Sequence, residues 1–92
     1  MSEVNVLNVI SADDVARFIL GYCRNGRSSS EVINASISYH RQKGLSSNDE
    51  MIRGWTAQKL LALERAQAIE FRNGVWIATD IGKSVLQKFF GI

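Results

Sequence analysis

The stretch that decides the fold is AIEFRNGVWIAT, residues 68–79, which follows a long helical pattern. Apolar and polar residues alternate before the central Asn73-Gly74 pair, and a period of two is the strand pattern. Asn and Gly both accept the positive φ angles of a two-residue type I′ turn. The stretch therefore predicts a tight two-stranded hairpin from Ala68 to Thr79.

Start and stop signals divide the chain before the hairpin into three helices. Each predicted start has a polar side chain that can cap the free amides of the first turn, with acidic residues close behind it. The second and third starts have the three-residue Ser-to-Glu spacing of a capping box. The predicted caps are Ser11, then Ser28 with Glu31, then Ser47 with Glu50. The predicted helices are about Ala12–Arg24, a second from Ser28 to Gly44, and a third at about Asn48–Gln67.

Apolar residues outside the hairpin indicate where the core lies. Residues 4–10 are β-branched residues interrupted by Asn, which predicts an extended segment or short strand. After the hairpin, Thr79 can cap a closing helix that ends at Gly91. On the third helix, Lys59 falls inside an apolar stripe, where its stem can pack while its ammonium reaches outward. That stripe is Met51, Ile52, Trp55, Leu60, Leu63 and Ala66, and Leu45 is expected to enter the core before it.

The order helix, helix, longer helix, tight hairpin, helix resembles the winged helix-turn-helix family. Residues 60–70 have leucines three apart before the hairpin, and residues 79–86 have the threonine-to-glycine-to-leucine pattern that opens the helix after the wing in many such repressors. The resemblance covers roughly residues 28–90. It departs at Gln67, where the family usually has Gly, and in the short turn of the wing. It implies a single winged-helix domain over residues 1–92, mainly α with a small β-hairpin (α+β): three helices, a two-stranded wing and a C-terminal helix.

Composition limits the functions that the chain can serve. Eleven Lys and Arg against nine Asp and Glu give a formal charge of +2, which permits phosphate binding without demanding it. Cys23 is the only cysteine and is expected in the core, and His40, the only histidine, is expected to cap carbonyls or lie against the core. The chain has no phosphate loop, nucleophile motif or paired metal-ligand spacing, so we expect neither an enzyme nor a cofactor. With no leader and no long apolar run, a cytoplasmic protein without membrane contact is expected.

The resemblance implies binding to double-stranded DNA, with the third helix in the major groove and the wing on the backbone or minor groove. Arg53 can pair with guanine and Gln58 with adenine, while Gly54 and Ala57 allow close approach. The predicted DNA-binding residues are Ser47, Asn48, Arg53, Gly54, Ala57, Gln58, Arg72 and Asn73. The expected function is sequence-specific transcription regulation.

Other features favour a second hypothesis. Asp49 and Glu50 would repel phosphate at the start of the third helix, and Leu61 is an unusual residue for a surface that faces a DNA groove. A winged-helix module that docks on a protein partner, such as a small viral or accessory factor, would explain both. The apolar termini leave two alternatives as well, since they can form a homodimer contact or complete the core of one monomer.

Overall fold

The hairpin and its surrounding helices are seen in a computed structural model, which describes residues 2–44 and 47–92. Those residues form five helices and one two-stranded antiparallel hairpin. The elements are α1 (Ser2–Ser11), α2 (Asp14–Tyr22), α3 (Ser29–Gln42), α4 (Asp49–Arg65), β1 (Ile69–Arg72), β2 (Val75–Ala78) and α5 (Asp80–Phe90). The prediction of a mainly helical α+β fold with a small hairpin is confirmed. Leu45, which was expected in the core, lies outside the described residues.

The hairpin of β1 and β2 has the predicted turn. Phe71 lies opposite Trp76 in the register, and φ is positive at both Asn73 (54°) and Gly74 (81°). Positive φ at both central residues is the type I′ geometry that suits the twist of the strands. The loop between α2 and α3 adds one bridge to the hairpin, because the backbones of Arg27 and Trp76 exchange hydrogen bonds of 2.9 and 2.7 Å.

Several predicted helix boundaries are confirmed. The Ser28 hydroxyl accepts a hydrogen bond from the Glu31 amide at 3.2 Å, and the Glu31 carboxylate accepts one from the Ser28 amide at 2.9 Å. This is the expected capping box. Thr79 caps α5 by accepting from the Gly82 amide at 3.1 Å, and Gly91 ends α5 in the left-handed conformation.

Two predicted caps are wrong by one or two positions. Ser11 belongs to α1, and the Asp13 carboxylate caps α2 by accepting from the amides of Val15 and Ala16, each at 3.1 Å. At the start of α4, the cap is Asn48 and not Ser47, because the Asn48 side-chain oxygen accepts from the Met51 amide at 2.8 Å. In both cases the capping acceptor is the residue immediately before the helix. The predicted ends of the first and third helices also extend two residues beyond α2 and α4.

Residues 4–10 lie in α1, so the prediction of an extended segment or short strand there is wrong. Val6 and Ile10 are four residues apart on one side of this helix, and both are fully buried where α1 packs on α2 and α5. Burial of this apolar side outweighs the preference of β-branched residues for strands. Packing within one chain thus buries part of the apolar surface at the termini. Three of their side chains remain exposed: Val4, Phe89 and Ile92.

The buried face of α4 differs from the predicted stripe at three positions. The stripe residues that are buried are Ile52, Leu60, Leu63 and Ala66. Met51 and Trp55 are 48% and 36% exposed, whereas Thr56 is fully buried. The Thr56 hydroxyl donates to the carbonyl of Ile52 and is hydrogen bonded to the hydroxyl of Ser36, both at 2.7 Å. A buried hydroxyl with such partners avoids the penalty of an unpaired polar group.

Two backbone positions at or near the junction between α4 and β1 have restrictive geometry. Gln67 has a φ of 65°, in the left-handed region that Gly adopts without steric strain. This is the position at which the winged-helix family usually has Gly. Next to it, α5 crosses Ala68 so closely that a Cβ on Gly82 would overlap the Ala68 carbonyl oxygen and lie 3.1 Å from Leu20 Cδ1. The Gly in the threonine-to-glycine pattern is therefore needed for this contact.

Candidate nucleic-acid interface

Four predicted site residues form one exposed surface on α4. Arg53, Gly54, Ala57 and Gln58 occupy adjacent turns on the same side of the helix, and all four are exposed. A Cβ on Gly54 would have no neighbour within 4 Å, so the space in front of the backbone is open there. We refer to these four residues as the α4 face.

The amino end of α4 carries the next two predicted site residues. Ser47 is half-buried and Asn48 is exposed. The Asn48 side-chain oxygen is already used by the Met51 amide, so only the side-chain NH₂ group of Asn48 remains to donate to a ligand. Asn48 is thus a structural cap first and a candidate contact second.

Arg72 and Asn73 lie at the tip of the β1–β2 hairpin, and both are exposed. The Arg72 guanidinium forms an ion pair with the carboxylate of Glu70 on the same strand. Within the described residues, no hydrogen bond or ion pair joins this tip to the α4 face. A ligand that uses both the hairpin tip and the α4 face would therefore have to contact each of them.

Most of the basic side chains are neutralised by acidic neighbours. In the described part of the chain, six of the eleven Lys and Arg residues form ion pairs with carboxylates. The pairs are Arg27 with Glu31, Arg41 with Asp49, Lys43 with Asp14, Lys59 with Asp13, Arg72 with Glu70, and Lys88 with Glu3. Arg53 has no such partner among the described residues. The α4 face thus carries one basic side chain that is available to an anion.

A buried polar cluster fixes α4 against α3. The Thr56 and Ser36 hydroxyls meet at 2.7 Å, and the His40 ring nitrogen Nδ1 lies 2.8 Å from the Ser36 carbonyl oxygen, to which it can donate. His40 is buried, so it both bonds to a carbonyl and lies in the core, as the sequence allowed. The roles of Ser36 and Thr56 were missed. Their only signal is that each lies in the buried sector of its helix, where an unpaired hydroxyl would be unfavourable.

An apolar groove of about 270 Å³ adjoins the α4 face. Ala57 belongs to both, and Leu61, one turn further along α4, is 47% exposed at the groove. The Trp76 indole donates from Nε1 to the Ser29 hydroxyl at 3.0 Å, which holds the ring at the groove edge. The groove is lined by Ser29, Ile33, Ala57, Leu60, Leu61 and Trp76. It offers an apolar surface that a DNA backbone would not fill.

Cys23 is fully buried in the core, as expected. Burial raises the pKa of its thiol to about 12, so the reactive thiolate form is suppressed at neutral pH. The geometry and the pKa agree on a packing role for Cys23.

The described part of the chain also bears on metal binding and on membrane crossing. Within residues 2–44 and 47–92, no group of three or more His, Cys, Asp or Glu side chains is placed to hold a metal ion. None of the helices α1 to α5 combines the length and apolar character needed to cross a bilayer.

Comparisons of the chain with models of protein families, with curated proteins and with solved structures find no match.

Proposed function

We propose that this chain is a winged-helix transcription regulator that binds double-stranded DNA in a sequence-specific manner. The α4 face carries the proposal. It presents Arg53 and Gln58 to solvent on a helix whose buried side is held by Thr56 and Leu63. A rigid helix with outward donors and acceptors suits the major groove, whose base edges are read by paired hydrogen bonds.

The order and pairing of the elements support the winged-helix assignment. α2, α3 and α4 precede the hairpin, and the bridge at Arg27 lies between α2 and α3, where a winged helix has room for a short strand. The left-handed conformation of Gln67 matches the position of the usual Gly. In this assignment, β1 and β2 are the wing and α4 is the recognition helix.

The chemistry of the α4 face suggests which bases it reads. The Arg53 guanidinium can donate two hydrogen bonds to guanine, and the Gln58 amide can pair with adenine. Gly54 and Ala57 lie between Arg53 and Gln58 and are small, so the helix backbone can approach the base edges closely. Arg72 and Asn73 at the wing tip would contact phosphate or the minor groove.

Selection from randomised DNA duplexes, followed by fluorescence anisotropy, tests the proposal. We expect a preferred site, and Arg53→Ala and Gln58→Ala should each weaken specific binding by about 1–3 kcal/mol. Lys88→Ala is the control, because it removes one positive charge from α5, where Lys88 pairs with Glu3. Enrichment of no sequence, or equal losses in all three variants, would contradict sequence-specific binding through α4.

The apolar groove favours a second candidate function, docking on a protein partner. Its occupant would present an apolar side chain to Ile33, Leu61 and Trp76, without using the charge of Arg53. Leu61→Glu should then abolish co-purification of that partner after nuclease treatment, whereas Arg53→Ala should not. The opposite pattern would favour DNA.

A homodimer through the termini is a further part of the proposal. Val4, Phe89 and Ile92 remain exposed on α1 and at the end of the chain, and a two-fold contact there would bury them. Two recognition helices about 34 Å apart would then match a palindromic site. Sedimentation velocity should show a dimer that Phe89→Ser dissociates, and a wild-type monomer at all concentrations would exclude it.

A further inference from the structure

Two exposed ion pairs involve arginines near the predicted DNA-binding residues, one at the start of α4 and one on β1. At the start of α4, Arg41 of α3 reaches Asp49 in the first turn, with 2.5 Å between the guanidinium nitrogen and the carboxylate oxygen. Asp49 precedes Arg53 by four residues, so the two side chains lie on the same side of α4. On β1, the Glu70 carboxylate pairs with Arg72 at the tip of the hairpin. Each of the two predicted contact surfaces, the start of α4 and the hairpin tip, thus has an arginine occupied by a nearby carboxylate.

These two pairs can be opened easily. Between 43% and 67% of each of the four side chains is exposed to solvent. Ion pairs in water contribute little free energy, because solvent and salt screen them and because fixing long side chains is entropically unfavourable. A phosphate diester offers an arginine the same two-oxygen geometry as a carboxylate. A phosphate that reaches the start of α4 or the hairpin tip can therefore displace the carboxylate there.

We propose that Arg41 and Arg72 are phosphate-binding residues, and that Asp49 and Glu70 compete with DNA phosphate for them. The carboxylates occupy the two arginines in the place that a backbone phosphate would take, and so lower the affinity of the interface for any polyanion. The inference rests on the proposed function, because the ligand that it names is the phosphate backbone of duplex DNA. It adds Arg41 to the interface and gives Asp49 a role other than simple repulsion of phosphate.

The chain offers a matched control for each carboxylate. Glu50 is the neighbour of Asp49 in the first turn of α4, and Asp80 lines the same surface groove as Glu70 and Arg72. Both controls are exposed, and neither has an ion-pair partner within the described residues. Glu50→Gln and Asp80→Asn therefore change the net charge in the same neighbourhood without releasing an arginine.

The test measures binding of variants of the 92-residue chain to a short duplex of random sequence by anisotropy over a range of salt concentrations. We expect Asp49→Asn and Glu70→Gln to bind about two- to fivefold more tightly than their matched controls, the size expected for breaking an exposed pair. The slope of log affinity against log salt should steepen by about 0.9 for each additional phosphate that the variant neutralises. In an Arg41→Ala background, Asp49→Asn should gain no more than Glu50→Gln does. Arg72→Ala should remove the extra gain of Glu70→Gln in the same way.

The elution of the same variants from heparin provides a second readout that does not depend on DNA. If the wild type binds the duplex but the gain from Asp49→Asn is the same with and without Arg41, the competition is refuted and the proposed function stands. If no variant binds any duplex but Asp49→Asn and Glu70→Gln leave heparin at higher salt than their controls, the DNA function fails and the competition for polyanions stands. If no variant binds any duplex and these two variants leave heparin at the same salt concentration as their controls, both the DNA function and the competition are refuted.

Discussion

The two faces of α4 differ in what their side chains contact. On the buried face, Thr56 and Leu63 have no exposed surface, and even the Thr56 hydroxyl has partners in Ser36 and in the helix backbone. On the opposite face, Arg53 and Gln58 extend into solvent. The buried face therefore fixes the position of the helix, whereas the exposed face is available to contact a ligand. Substitutions on the two faces should have opposite consequences for stability and for binding.

Leu63 and Leu61 give the largest expected contrast between the faces. Leu63 is fully buried, whereas Leu61 is about half exposed. Leu63→Ala should lower the free energy of unfolding by about 2–5 kcal/mol, because it removes buried methyl groups and leaves a cavity. Leu61→Ala should change it by less than about 0.5 kcal/mol. Urea unfolding followed by circular dichroism measures both, and equal losses would mean that Leu61 is buried in solution, for example by a partner copy.

Two glycines extend the contrast to the backbone. A Cβ on Gly82 would overlap the Ala68 carbonyl oxygen, but a Cβ on Gly54 would have open space. Gly82→Ala should destabilise the protein by about 1–3 kcal/mol, as overpacking does. Gly54→Ala should stabilise it by about 0.5–1 kcal/mol, because Ala favours a helix interior over Gly. Thermal unfolding of both variants checks the signs, and destabilisation by Gly54→Ala would place another group against the α4 face.

The same contrast explains how much of the fold and site the sequence predicts. The hairpin and the Ser28 capping box depend on residues close together in the chain, so local patterns suffice to predict them. The exposed α4 face was also predictable, because it lies off the apolar residues of its helix.

The errors share a different cause, which is contact between residues far apart in sequence. α1 is a helix because Val6 and Ile10 pack on other helices, and nothing within residues 4–10 reports that packing. Thr56 is buried because Ser36 lies opposite it. The six ion pairs that neutralise the basic residues were likewise missed, since most of them join different elements. What the chain binds depends on that distribution of charge, so function was harder to predict than fold.

The smallest expected effect lies at the boundary between the two faces of α4. Lys59 is partly buried there, and its ammonium pairs with Asp13, the cap of α2. The sequence predicted an ammonium that reaches outward, and in the structure this ammonium pairs with a carboxylate at the start of α2. Burial raises the pKa of the Asp13 carboxyl, but hydrogen bonds from Lys59 and from the amides of Ala16 and Val15 outweigh burial, so the pKa lies below its ordinary value.

This lowered pKa predicts how stability depends on pH. The unfolded chain takes up the Asp13 proton near the ordinary pKa of about 3.9, whereas the folded chain takes it up at lower pH. The stabilisation is therefore present above about pH 4 and is lost as the pH falls through the pKa of the folded state. Asp13→Asn retains a capping oxygen but loses the charge, so it should be less stable than the wild type at neutral pH by less than about 1 kcal/mol.

Urea unfolding at a series of pH values distinguishes this charge effect from a change in packing. The difference between the wild type and Asp13→Asn should shrink as the pH falls below about 4, because protonation removes the same charge from the wild type. Asp80→Asn is the control, since Asp80 also lies at the start of a helix but has no ion pair among the described residues. A difference that stays constant down to the lowest pH would mean that Lys59 is held at the edge of α4 by the packing of its stem and not by Asp13.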